Sequence, residues 1–90
     1  MIIHGEQIRA ARGLLGWTQA NLAQASAVGI MTIKRLESTT GEVRGTVESL
    51  VRVQTALEKA GIVFLSPDKQ LGIGVRLRSQ SSTSTYSEKE

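Results

Sequence analysis

The sequence predicts a mainly α-helical protein that ends in a β-hairpin. Apolar residues recur at spacings of three and four through residues 5–60, and glycine and threonine punctuate that region at short intervals. From Ile62 onward the apolar spacing changes to a period of two. The chain has 90 residues and no cysteine, so we expect one small domain without a disulfide or a thiolate metal site.

Four helices are predicted before the hairpin. Their apolar faces and capping residues place them at residues 5–15, from 19 to 25 or 26, from 29 or 30 to about 38, and from 46 to about 60. Thr18 and Thr46 are good N-caps for the second and fourth helices. Gly16 is predicted to end the first helix, and Gly61 stands where a C′ glycine belongs. Residues 39–45, which are rich in glycine and threonine, are predicted to form a loop.

The hairpin is predicted at residues 62–78, after a helical domain of residues 1–61. A lone two-stranded hairpin is marginally stable, and apolar residues occupy both faces of this one. We therefore expect the hairpins of two copies to pair or to pack across a two-fold axis. The predicted dimer contacts are Ile62, Phe64, Ile73, Val75 and Leu77. Residues 79–90 are polar and of low complexity, so they are predicted to be disordered.

The second and third predicted helices have the spacing of a helix-turn-helix. Ala23 is small at the point where two such helices cross. Apolar residues for a shared core follow at Val28, Ile33 and Leu36. The turn position that usually holds a glycine with positive φ is Ala27, where the left-handed conformation would cost about 1 kcal/mol.

The third predicted helix turns Met31, Lys34 and Arg35 away from that core, with Ile30 and Thr32 beside them. Arg35 could make two hydrogen bonds to guanine O6 and N7, and Lys34 or Thr32 could bind phosphate. Ile30 and Met31 would suit thymine methyl groups. The net charge of +3 permits binding to a nucleic acid. The pattern predicts that this helix reads the major groove of double-stranded DNA.

Three strings carry a family resemblance: QIRAARGLLGWTQANLA at residues 7–23, VRGTVESL at residues 43–50 and GVRLR at residues 74–78. They are similar to small bacterial members of the Xre/Cro family of transcriptional regulators, which have a lambda-repressor-like fold. The resemblance implies a bundle of four helices, with the hairpin in place of the family's fifth helix. It also implies a homodimer on a palindromic operator, with residues 29–36 in the major groove and half-sites roughly 34 Å apart.

The resemblance also implies roles for individual residues. Arg12 and Glu37 match a salt bridge between the first and third helices. Gln19 matches a glutamine that contacts phosphate, and its amide could also brace the start of the third helix. Gly29 replaces the family's usual Ser or Thr cap, and apolar residues replace its polar readers at positions 30 and 31. The implied DNA contacts are Thr18, Gln19, Gly29, Ile30, Met31, Thr32, Lys34, Arg35, Arg44 and Thr46.

The sequence contains no motif for catalysis or for binding a metal or cofactor. We therefore expect that the protein is not an enzyme. The single histidine, His4, has no carboxylate neighbour in a catalytic motif, the acidic residues lack metal-ligand spacing, and no phosphate-binding glycine loop occurs. No apolar run is long enough for a membrane span, and residues 1–11 lack a signal-peptide pattern. We therefore expect a cytoplasmic, nucleoid-associated protein.

Several functional alternatives remain open. The regulator could repress by covering a promoter or activate by touching polymerase, and its protein partner could be polymerase, an antiactivator or a toxin. An antitoxin would bind DNA through the same helices and hold its toxin through the hairpin or residues 79–90. An adaptor would keep the fold without specific DNA binding and place Ile30 and Met31 in a protein groove.

Overall fold

The computed structural model describes residues 3–38 and 46–78. In these residues four helices precede a two-stranded antiparallel sheet, which confirms the predicted class. The elements are α1 (Gly5–Leu15), α2 (Gln19–Ser26), α3 (Ile30–Ser38), α4 (Val47–Lys59), β1 (Ile62–Leu65) and β2 (Gly74–Leu77). The predicted loop at residues 39–45, which contains Arg44, and the predicted disordered tail at residues 79–90 lie outside the described residues.

The helix ends follow the capping residues that the sequence offers. The Thr18 hydroxyl oxygen accepts a hydrogen bond from the backbone N–H of Asn21 at 2.9 Å, which satisfies one donor of the first turn of α2. The Thr46 hydroxyl does the same for α4. Gly16 ends α1 with φ 69°, and Gly61 follows α4 with φ 109°, so both predicted glycine stops are confirmed.

Ala27 turns the chain between α2 and α3. Its backbone lies in the left-handed region, with φ 58° and ψ 33°, so alanine takes the conformation usually given to glycine. The turn is held on both sides, because its amide bonds to the carbonyl oxygen of Ala23 and its own carbonyl accepts from Arg52 Nη1 at 3.3 Å. The surrounding structure therefore keeps a backbone conformation that costs about 1–2 kcal/mol for an L side chain.

We expect Ala27→Gly to raise the free energy of unfolding by about 1 kcal/mol, because glycine removes the left-handed strain. Urea denaturation of the two proteins measures the difference. Ala25→Gly is the matched control, since Ala25 is an exposed residue inside α2. That control should lower the free energy by about 0.5–1 kcal/mol. A loss of stability in Ala27→Gly as large as that in the control would contradict the left-handed turn.

The core lies between the helices and one face of the hairpin. Its fully buried large side chains are Ile8, Leu22, Ile33, Leu36, Val53, Leu57 and Ile62. The strand register pairs Ile62 with Leu77 and Phe64 with Val75, which puts these four side chains on the same face of the hairpin. This inner face packs against the helices, so the core spans helix and sheet.

The packing of the inner face contradicts one of the predicted dimer contacts, Ile62. Ile62 has no exposed surface within its own chain, so it cannot contact a second copy. Phe64, Val75 and Leu77 are partly buried against the same core, and Ile73 lies before β2 rather than in it. The prediction was wrong for Ile62 because alternation reveals which residues share a face but not which face meets the helices. For Phe64, Ile73, Val75 and Leu77 it stays a prediction.

Gln7 attaches α1 to the loop end of the hairpin. Its buried side chain donates from Nε2 to the carbonyl oxygens of Leu65 at 3.2 Å and of Gly74 at 3.0 Å. Its Oε1 accepts from the backbone N–H of His4 at 2.8 Å. Leu65 and Gly74 face each other across the two strands, so one amide holds both strands against the first helix.

Candidate nucleic-acid interface

The carboxylate of Glu37 joins α3 to the two preceding helices. Arg12 from α1 approaches it with two nitrogens, Nε at 2.6 Å from Oε2 and Nη2 at 2.8 Å from Oε1. Gln19 from α2 donates from Nε2 to Oε1 at 3.1 Å. The predicted ion pair is therefore present, and it is buried at Glu37. Gln19 braces α3 near its end rather than near its start, contrary to the prediction.

Two further contacts strengthen this junction. Arg12 Nη1 donates to the carbonyl oxygen of Trp17 at 2.9 Å, and Arg9 donates to the carbonyl oxygen of Glu37. The hydrogen bond to Glu37 raises the pKa of Arg12, while partial burial acts in the opposite direction. The guanidinium therefore stays charged at any physiological pH, and α3 is fixed by charged contacts as well as by packing.

The side of α3 opposite this junction faces outward. Ile33, Leu36 and Glu37 are buried, whereas Met31 is 66% exposed and Ile30 is 39% exposed. Lys34 and Arg35 are also exposed. The first turn of α3 thus presents two apolar side chains, and the next turn presents two cations.

Among the described residues, no side chain lies close to Gly29 at the approach to α3. Its carbonyl oxygen accepts from the N–H of Ile33 at 3.0 Å, which makes it the N-cap residue of α3. A Cβ built on this glycine would meet nothing within 4 Å. A large flat or convex molecule can therefore come close to the helix backbone here. Thr32, the remaining predicted contact in this turn, is half-buried.

The exposed charge of residues 18–38 is entirely positive. Glu37 is the only acidic residue in this segment, and it is buried in the ion pair with Arg12. The exposed charged residues are Lys34 and Arg35. α4 differs, because it also carries an exposed carboxylate, that of Glu48. The surface of α3 suits a polyanion better than the surface of α4 does.

The other predicted contacts have structural roles as well. The hydroxyls of Thr18 and Thr46 cap helices while both residues remain exposed, and Gln19 is half-buried and bonded to Glu37. Arg44 lies outside the described residues. The roles of Arg9 and Arg52 could not be predicted, because each donates to a backbone carbonyl oxygen at least 25 positions away.

Comparison with protein-family models and with curated proteins gives no match to this chain. The described residues contain no helix with the length and apolar character needed to cross a membrane. They also contain no group of three histidine, aspartate or glutamate side chains that could hold a metal ion. The geometry and charge of α2 and α3 are therefore the features from which a function can be inferred.

Proposed function

We propose that this chain is a sequence-specific, double-stranded-DNA-binding transcriptional regulator of the helix-turn-helix type. In this proposal α2 and α3 form the motif, as in the Xre/Cro family that the sequence resembles, and α3 enters the major groove. The observation that carries the proposal is the exposed face of α3, where Lys34 and Arg35 lie in a segment without an exposed carboxylate. Glu37 fixes that face in orientation through α1 and α2.

In this proposal, each residue of the interface makes a defined contact with DNA. Arg35 donates two hydrogen bonds to a guanine edge, and Lys34 neutralises a phosphate. The bare surface at Gly29 lets the helix come close to the bases. The exposed residues Thr18 and Thr46 stand at the N-termini of α2 and α4, where backbone N–H groups favour phosphate.

The proposal is tested by selecting random duplexes on the purified full chain and measuring the affinity for the recovered sequence at several salt concentrations. We expect a palindromic motif. The logarithm of the binding constant should fall with the logarithm of the salt concentration at a slope near −0.9 per phosphate contacted. Recovery of no motif, together with weak binding to every duplex, would overturn the proposal.

A homodimer would put two copies of α3 on one palindrome, and we propose the outer face of the hairpin as its contact. The inner face is already packed on the helices, so the outer side chains of β1 remain, including Val63 and Leu65. Together with Leu77, Arg76 and Arg78, they line a shallow depression. A second copy covering this face would supply the buried area that a chain of this size lacks.

We expect Leu65→Lys to convert the dimer to a monomer, because a charge would be buried in the contact. Sedimentation equilibrium at high micromolar concentration measures the mass. Leu14→Lys is the matched control, since Leu14 is 46% exposed and Leu65 is 38% exposed. The control should remain dimeric. A monomeric wild-type protein at the same concentration would contradict a dimer through this face.

A protein-interaction adaptor is the second candidate, favoured by the exposure of Ile30 and Met31 on α3. An adaptor would place these two side chains in an apolar groove of another protein. It would bind DNA weakly and equally on all sequences. The duplex selection therefore distinguishes the two functions directly.

A further inference from the structure

We infer that Ile30 and Met31 make DNA recognition depend on C5-methyl groups of pyrimidines, carried by thymine or by 5-methylcytosine. This inference rests on the proposed function and names the base feature that α3 reads. It begins from the exposure of these two side chains, which leaves large apolar surfaces in water at the start of α3. Such a pair gains free energy only when another apolar surface covers it.

The major groove offers an apolar group of this kind on a base edge, the C5-methyl of thymine. The other base-edge groups in the groove are hydrogen-bond donors and acceptors. Ile30 and Met31 cannot pair with these, and covering them with an apolar side chain would leave them unsatisfied. The favourable bases for this first turn are therefore those that carry a methyl group.

The next turn of α3 argues for DNA rather than for an apolar protein groove. Lys34 lies four residues after Ile30, and Arg35 lies four residues after Met31, so each apolar side chain has an exposed cation beside it on the helix surface. A polyanion that carries apolar methyl groups can cover the two apolar side chains and neutralise the two cations at once. An apolar protein groove would have to cover or displace the two charges.

The expected size of the effect follows from the area of one methyl group. Covering one methyl or methylene is worth about fourfold in affinity. Replacing one contacted thymine by uracil removes that methyl and leaves the hydrogen-bonding edges unchanged. We expect about fourfold weaker binding for each contacted thymine that is replaced, and about 15-fold weaker binding for two.

The experiment selects the full chain on two random duplex libraries, one containing thymine and one containing uracil in its place. Each thymine of the recovered motif is then replaced singly by uracil, and affinity is measured by fluorescence anisotropy. We expect enrichment from the thymine library and a loss of affinity at specific positions. Equal affinity for the thymine and uracil duplexes would overturn the inference while the proposed function stands. Recovery of no motif from either library would overturn both.

Protein variants connect the effect to the two side chains. Met31→Ala should weaken binding to the thymine duplex. At one position of the motif, it should also make the affinities for the thymine and uracil duplexes equal. Met31 is mostly exposed, so its truncation leaves the core intact. Lys34→Ala is the control from the same helix face, and it should weaken binding to both duplexes by the same factor. A ratio that survives in both Met31→Ala and Ile30→Ala would contradict the assignment.

A last pair of duplexes identifies the source of the methyl group. The contacted thymine is replaced by cytosine in one duplex and by 5-methylcytosine in the other, each paired with guanine. Tighter binding to the methylated duplex means that α3 accepts the methyl from either base. An effect confined to the thymine and uracil pair identifies thymine alone as the source.

Discussion

Glu37→Ala should lower the free energy of unfolding by about 3 kcal/mol, because it breaks a buried ion pair by removing one partner. The substitution leaves the Arg12 guanidinium, whose side chain is only 20% exposed, without its carboxylate partner. It also removes the acceptor of Gln19. Single domains have about 5–15 kcal/mol of stability in total, so the variant should unfold at a much lower urea concentration.

Glu48→Ala provides the comparison, because Glu48 also accepts from an arginine, Arg52, at 2.7 Å. That pair is exposed and spans four residues of one helix, so its loss should cost less than about 0.5 kcal/mol. If Glu37→Ala and Glu48→Ala lowered the free energy of unfolding by the same amount, Glu37 would not hold α3 against α1 and α2. Replacing Arg12 and Glu37 together by apolar residues should recover part of the loss, since no charge is then left alone.

Arg35→Ala should reduce the affinity for the selected operator by about 5- to 150-fold, corresponding to the loss of a bidentate contact to guanine. The same variant, passed through the duplex selection, should accept any base at one position of each half-site. Anisotropy titrations and sequencing of the recovered duplexes measure the two effects. A recovered motif identical to that of the wild-type chain would rule out base reading by Arg35.

Lys59→Ala is the control for this effect. Lys59 is the last residue of α4, it is exposed, and its truncation removes the same charge as Arg35→Ala. Affinity should change little and the recovered motif should be unchanged. A loss in Lys59→Ala equal to that in Arg35→Ala would mean that net charge alone determines binding.

The helices could be predicted from the sequence because their signals are local. Thr18 and Thr46 mark two helix starts, and Gly16 and Gly61 mark two helix ends, within a few residues of the structures that they determine. The ion pair of Arg12 and Glu37 spans 25 positions, and its prediction required a resemblance to known proteins.

The packing of the hairpin on the helices could not be predicted from local signals. Its strands could be predicted from alternation, but the choice of inner face depends on which side meets α1 and α4. That choice buries Ile62 and cannot be deduced from a period of two. The two hydrogen bonds from Gln7 to the hairpin could not be predicted either, because the carbonyl partners lie 58 and 67 positions away. Long-range polar contacts of this kind leave no periodic pattern in a sequence.

The position of α1 has a consequence for the geometry of an operator. Gln7 fastens the hairpin to this helix, and Arg12 fastens α3 to it about 7.5 Å further along the axis. A dimer joined through its hairpins would then hold its two copies of α3 at one set distance, because these contacts connect each hairpin to α3 through α1. One extra base pair between half-sites would shift one of them by about 3.4 Å and rotate it by roughly 35°. Spacer length would therefore define an operator as strictly as its bases do.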